Sequence, residues 1–281
     1  MVYNTLISAA DLAQHATNKN WVIFDCRFSL SDKQAGAKAY RQGHLAGARY
    51  ADLEKDLSGA VACFTGRHPL PNFKVLAQKL GQWGVNSHTQ VVVYDDANGA
   101  FAGRFWWLLR CFGHENVAVL EGGLSYWLKQ GYSVTTTLPQ ITGTTFRPYP
   151  NENICLSASE VEAGLARKSI CLIDARTPER YRGEQEPIDP VAGHIPSALN
   201  RPFQKNLTPE GLFLPAMVLQ KQFTSLLKSY SATQVVHNCG SGVTACHNLL
   251  AMEYAGLTGS KLYAGSWSEW ITNKNRAIAK V

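Results

Sequence analysis

Short apolar runs recur along the chain, and each ends on polar or charged residues. Trp21-Val22-Ile23-Phe24 leads into Asp25-Cys26-Arg27, and Ile170-Cys171-Leu172-Ile173 into Asp174-Ala175-Arg176. Val91-Val92-Val93-Tyr94 leads into Asp95, and Val235-Val236 into His237-Asn238-Cys239. Unbroken apolar runs of this kind predict strands buried on both faces. Elsewhere the spacing changes. Val243, Leu249, Leu250, Met252 and Ala255 suit a helix over 243–255, with Gly256 as its stop. A second helix is expected over 104–112, after a glycine-containing turn. Strands alternating with helices imply an α/β fold, a parallel sheet with helices on both faces.

The pattern is written twice. Asp25-Cys26-Arg27 is answered by Asp174-Ala175-Arg176, and Gly43-His44-Leu45 by Gly193-His194-Ile195. The run ending at Asp95 is answered by the one ending at Cys239, and Gly122-Gly123-Leu124-Ser125-Tyr126-Trp127 by Gly265-Ser266-Trp267-Ser268-Glu269-Trp270. Such ordered self-similarity predicts tandem domains, over residues 1–137 and 153–281. The stretch 138–152, rich in Thr and Pro and without periodicity, reads as a linker. An irregular excursion over 51–72 carries Gly66-Arg67-His68-Pro69-Leu70-Pro71. A loop of that length inside a domain is often functional, and this one is long enough to reach the other domain's site.

Length and composition agree with two soluble globular domains. No apolar run approaches a membrane span, and the N-terminus lacks the pattern of a secretory signal. The seven cysteines form no CxxC pair and no disulfide scaffold, which fits a reducing, cytoplasmic setting and disfavours zinc. A formal charge of +6 is compatible with a small anionic substrate. There is no basic stripe with interleaved aromatics, so nucleic acid is not an expected partner.

The chemistry concentrates at Cys239-Gly240-Ser241-Gly242-Val243-Thr244, between a strand end and a helix start. Two glycines allow the loop to curl with its N–H groups inward, and the helix N-terminus adds partial positive charge. A thiol in that cradle should ionise more readily than its ordinary pKa of about 8.5. Cys239 is therefore the candidate nucleophile, at the carboxyl end of a strand where such sheets bind ligands. The first repeat has Asp95 at the matching position, and a carboxylate cannot act as a sulfur nucleophile. His237 and His247 raise the idea of a Cys–His dyad, but packing or capping roles suit them better. Trp267 and Trp270 read as core or cleft-wall aromatics.

These blocks together resemble the two-domain sulfurtransferases of the rhodanese superfamily, over about residues 6–275. The resemblance implies two tandem rhodanese-like domains, the first of them inactive. It also implies transfer of sulfur from 3-mercaptopyruvate or thiosulfate, through a Cys239 persulfide, to cyanide or a thiol acceptor such as thioredoxin, with no cofactor. In this family a Cys-Arg-Lys-Gly-Val-Thr loop accompanies thiosulfate, and a Cys-Gly-Ser/Thr-Gly-Val-Thr loop accompanies mercaptopyruvate. Residues 239–244 match the second form. The same resemblance places a donor-carboxylate arginine at Arg180 and a proton-transfer serine at Ser241. It places a cleft histidine at His68, with Arg67 beside it as a further source of positive charge. Two positions depart from the pattern. Glu54 stands where the family has a second aspartate after Asp52, implicated in proton transfer with Cys239 and Ser241; the resemblance implies either that Glu54 does this with its longer arm or that the relay is dispensable. In Glu186-Pro187-Ile188-Asp189, isoleucine replaces a second carboxylate-binding arginine. Arg176 reads as structural, paired within Asp-x-Arg.

Two rivals remain at this level. A phosphatase built on a related loop needs an arginine six residues after the cysteine, where this chain has Ala245. A persulfide carrier with little turnover would leave no local mark in the sequence.

Overall fold

The computed structural model describes residues 2–15 and 18–281. It divides into two units. Residues 1–59, Pro71–Asn151 and Pro209–Leu212 form the first; Ala60–Leu70, Glu152–Thr208 and Phe213–Val281 form the second. The excursion thus splits, and its Arg67-His68 part counts with the second unit. The stretch expected as a linker packs on the first: the Thr144 N–H donates to the Gly81 carbonyl at 2.8 Å, and buried Phe146 lies 5.9 Å from the Phe112 ring.

The first unit runs β1 (Leu6–Ile7), α1 (Ala9–His15), β2 (Trp21–Asp25), α2 (Ala35–Gln42), β3 (Arg49–Tyr50), α3 (Phe73–Gln82), β4 (Gln90–Tyr94), α4 (Ala102–Cys111), β5 (Val117–Leu120) and α5 (Gly123–Lys129). All its strands are parallel, in the order β1-β5-β4-β2-β3. Alternation along the strands decides what each face meets. Ile23 and Val92 pack with Leu12 of α1 and with Leu124 and Trp127 of α5. Phe24 points the other way, onto Phe105 of α4 at 4.9 Å and Trp83 at the end of α3 at 5.1 Å.

The second unit repeats this with α6 (Ala158–Ala166), β6 (Cys171–Asp174), α7 (Pro178–Arg182), β7 (Leu199–Asn200), α8 (Ala216–Leu227), β8 (Val235–Asn238), α9 (Ala245–Tyr254), β9 (Lys261–Leu262) and α10 (Ser266–Trp270). Its parallel sheet has the order β7-β6-β8-β9. Leu172 and Val236 meet Val161 of α6 and Trp267 and Trp270 of α10. His237, the next residue along β8, faces α9 instead, its Nε2 3.2 Å from Met252 Sδ. A reciprocal capping box between Ser157 and Glu160 starts α6.

The duplicated blocks do duplicated work. Arg27 grips Asp25 with Nε and Nη2 and donates to the Gly43 carbonyl at 2.6 Å. Arg176 grips Asp174 in the same way and donates to the Gly193 carbonyl at 2.8 Å. The following histidines stack on tyrosines, His44 on Tyr40 at 4.0 Å and His194 on Tyr181 at 3.8 Å. Each histidine also forms an isolated antiparallel bridge, with Thr135 and Ala279 respectively. Among the described residues, no helix is long and apolar enough to cross a membrane.

Candidate active site

Cys239 follows directly on β8, and Thr244 is the N-cap of α9. The helix begins at Ala245, two residues later than its apolar spacing suggests, because the loop is still turning at Gly242. That residue has φ +74°, and a Cβ there would fall 2.1 Å from the Ala264 carbonyl oxygen, so only glycine fits. The start of α10 fixes the near end of the loop. Trp267 N–H donates to the Cys239 carbonyl at 3.0 Å and Ser268 N–H to the Gly240 carbonyl at 2.9 Å. The Cys239 N–H donates to Ser266 Oγ at 3.1 Å, and that hydroxyl donates to the Tyr263 carbonyl. Ser266 has φ +54°, a left-handed conformation that disfavours a side chain, at a fully buried site.

With its carbonyls held, the loop keeps donors in hand. Among the described residues, the N–H groups of Gly240, Ser241, Val243 and Thr244 have no acceptor. With the first turn of α9 behind them, these unpaired donors are available to an anion. Cys239 itself is only 2% exposed.

The first unit shows what such a loop does around a carboxylate. Asp95 Oδ1 accepts the N–H groups of Ala97 and Gly99, both at 2.9 Å, and Oδ2 those of Phe101 and Ala102, both at 2.8 Å. Burial pushes the Asp95 carboxyl above its ordinary range, and the four N–H groups pull against that. These bonds also explain why α4 starts at Ala102, earlier than residue 104 as expected: its first free donors already have an acceptor.

Beside Cys239 the second unit assembles a charged chain. Arg180 donates from Nε and Nη2 to Glu186 and from Nη2 to Asp189 Oδ2 at 3.1 Å. Arg67 Nη1 pairs with Asp189 Oδ1, and Arg176 Nη1 reaches Glu186 at 3.3 Å. Burial would raise the Glu186 carboxyl, but Arg180 and the Ile188 and Asp189 N–H groups outweigh it and hold it below the usual range. Both outer guanidiniums border Gly240. A Cβ there would lie 3.1 Å from Arg67 Nη2 and 3.6 Å from Arg180 Nη1. Neither of those two nitrogens makes a hydrogen bond to a described residue. The carboxylates thus aim the two arginines while leaving one amino group of each unoccupied.

His68 Nδ1 shares a 2.8 Å hydrogen bond with Ser241 Oγ, so Arg67, His68, Arg180 and Ser241 all gather at the cysteine loop. Glu54 lies in the first unit, where its carboxylate pairs with Lys33 at 3.0 Å. Asp52 accepts the N–H groups of Glu54 and Lys55 and so caps its own turn. Ile188 is 40% exposed, and its backbone merely caps Glu186. His237 is fully buried, and burial drives its pKa down to about 3, so it is neutral and no base. His247 stacks on Phe213 at 4.6 Å and meets Asn206. The sequence pattern alone assigns no role to Ser266 or Asp189. Their signals were a serine where the first repeat has Gly123, and an acid three residues after Glu186.

The rhodanese-like domain family matches residues 8–130 and again 157–273. The chain belongs to that family. It is 45% identical to a Pseudomonas aeruginosa protein named "Probable 3-mercaptopyruvate sulfurtransferase", over 98% of this chain and 97% of that one. It is 31% identical to the thiosulfate sulfurtransferase of Bos taurus, over 96% and 93%. Among solved structures, SseA of Escherichia coli, described as a 3-mercaptopyruvate sulfotransferase, superposes with a TM-score of 0.81 at 30% identity. That superposition spans 95% of this chain and all of that one.

Proposed function

We propose that this sulfurtransferase takes sulfur from 3-mercaptopyruvate onto Cys239 and hands it to a thiol. The observation that carries this reading is the set of unsatisfied N–H groups around Cys239, where the sister loop has spent its own on Asp95. The Cys239 thiolate attacks the donor's sulfur and the donor's C–S bond breaks. The pyruvate enolate leaves and takes a proton, and the Cys239 persulfide remains. The loop donors stabilise the sulfur both as nucleophile and as leaving group. Arg180 Nη1 and Arg67 Nη2 hold the donor carboxylate, so Arg67 supplies the charge that Ile188 does not. Ser241, coupled to His68, serves proton transfer, and Glu54 is dispensable. The second step is attack by an acceptor thiolate on the outer sulfur, with cyanide as a substitute and thioredoxin as a candidate acceptor.

The repeat over residues 1–137 carries no nucleophile at the matching position and contributes only Arg67 and His68 of its excursion to the site, 138–152 join the two repeats, and 153–281 carry Cys239. A cytoplasmic setting accords with seven cysteines that form no disulfide.

Thiosulfate is the second reading for the donor, because Ile188 stands where a second carboxylate-binding arginine would be and relatives carry both names. Side-by-side kcat/KM decides between the two donors, and a clear preference for thiosulfate overturns the first. Donor treatment should add the mass of one sulfur atom to Cys239, and Cys239→Ser should abolish both that adduct and turnover. Turnover surviving in Cys239→Ser ends the proposal.

A further inference from the structure

A second electropositive feature lies in the second unit, on residues the sulfur chemistry does not use. Arg201 follows β7, and its N–H donates to the Asp174 carbonyl at 3.0 Å. In the first unit Ala51 makes the same bond to Asp25 at 2.9 Å. The backbone position is therefore common to both repeats, and the fold does not require a cation there.

Arg201 is nonetheless 6% exposed and makes no ion pair with a described residue. Its Nε and Nη2 donate to Asn206 Oδ1, at 3.0 and 2.9 Å. Nη2 also donates to Gln222 Oε1 and the Lys205 carbonyl, while the guanidinium stacks over Phe223 at 4.1 Å. Every acceptor is neutral, and Nη1 has none. Burial without a counter-charge pulls the Arg201 pKa down to about 10, so it is still charged at neutral pH. Burying an uncompensated cation is unfavourable. Among the described residues it has no counter-charge.

Arg201 lines a cavity of about 810 Å³ with Asn200, Lys205, Lys221, Gln222 and Lys228 among the other walls. No acid lines it, and none of the three lysines makes an ion pair with a described residue. Neutral acceptors lock the guanidinium plane, while three flexible ammonium groups stand around it.

We propose that this cavity binds a small polyanion of the phosphate class. One oxygen accepts from Arg201 Nη1, and the remaining charge is met by Lys205, Lys221 and Lys228. A fixed fork combined with mobile point charges suits a chain of phosphoryl groups better than a single carboxylate.

The test is titration of the full chain with inorganic tripolyphosphate at moderate salt, by calorimetry. Binding should saturate at one site and weaken about tenfold or more in Arg201→Gln, and likewise in the double variant Lys205→Ser/Lys221→Ser. The lysines are exposed, so the double variant reads the site even if Arg201→Gln does not fold. Arg180→Ala and saturating thiosulfate should leave the affinity unchanged. Absence of saturable binding overturns the proposal. So does equal affinity in the lysine double variant, or loss of binding on Arg180→Ala or on adding thiosulfate, which would place the anion at the cysteine loop. Weaker binding of orthophosphate than of tripolyphosphate supports a multi-phosphate ligand, and equal binding overturns that part.

Discussion

The loops after β4 and β8 begin alike and end in opposite states. In the first unit the strand delivers a carboxylate, and four backbone N–H groups close on it. In the second it delivers a sulfur, and the corresponding donors stay open. The same backbone device is self-satisfied in one repeat and available in the other. One side chain decides whether the curl is a structural knot or a place for chemistry. The joints to the following helix confirm the correspondence: Leu124 N–H binds the Asp95 carbonyl at 2.8 Å as Trp267 N–H binds that of Cys239.

Exchanging the deciding side chains should give the largest effects. Asp95→Ala leaves four N–H groups without an acceptor, two of them buried, and should remove about 2–4 kcal/mol of stability in urea unfolding. Cys239→Asp should abolish sulfur transfer yet leave stability within about 1 kcal/mol of the parent, or raise it, because a carboxylate finds donors waiting. Equal losses of stability from the two changes would break the parallel. Next comes the charged chain, which the first repeat lacks. Arg180→Ala should lower kcat/KM for mercaptopyruvate by about a hundredfold and Arg67→Ala by about tenfold, with smaller losses for thiosulfate. Identical losses for both donors would remove the arginines from carboxylate recognition.

His237 occupies the place of Val93, and His237→Val makes the second strand resemble the first. The histidine's folded pKa of about 3 lies below its ordinary 6.5. The unfolded chain therefore binds the extra proton between those values, and stability falls as pH drops through that window. The slope is at most about 1.4 kcal/mol per pH unit. His237→Val should flatten the acid side of a stability–pH profile, and an unchanged slope would mean that other groups dominate. Ser266→Gly installs the residue of the first repeat. Relief of the left-handed strain and loss of the bond to the Cys239 N–H should nearly cancel, within about 1 kcal/mol. Turnover should nevertheless fall several-fold, and a full-rate variant would show that glycine positions the sulfur equally well.

The sequence announced much of this. Apolar runs located the central strands, the repeated blocks located the tandem units, and glycines flanking a cysteine at a strand end located the loop. What it could not announce was assembly over distance. Arg67 and Asp189 are far apart in the chain, and only the fold shows that one carboxylate aims both Arg67 and Arg180. Asp95 was readable as a non-nucleophile, but its grip on four N–H groups depends on loop geometry. Arg201 looked like any other arginine, because a missing partner leaves no trace in a string of letters. Glu54 suggested a relay by position, and its pairing with Lys33 is equally a matter of three-dimensional placement.

The near-complete covering of Cys239 bears on how long a transferred atom survives. A persulfide in open water is stripped by whatever thiol or oxidant arrives first. One beneath a closed surface waits for a visitor that can part the neighbouring side chains. Persulfide on Cys239 should therefore outlast the same adduct on an exposed thiol when both meet a common reductant, a comparison that adduct decay followed by mass spectrometry checks.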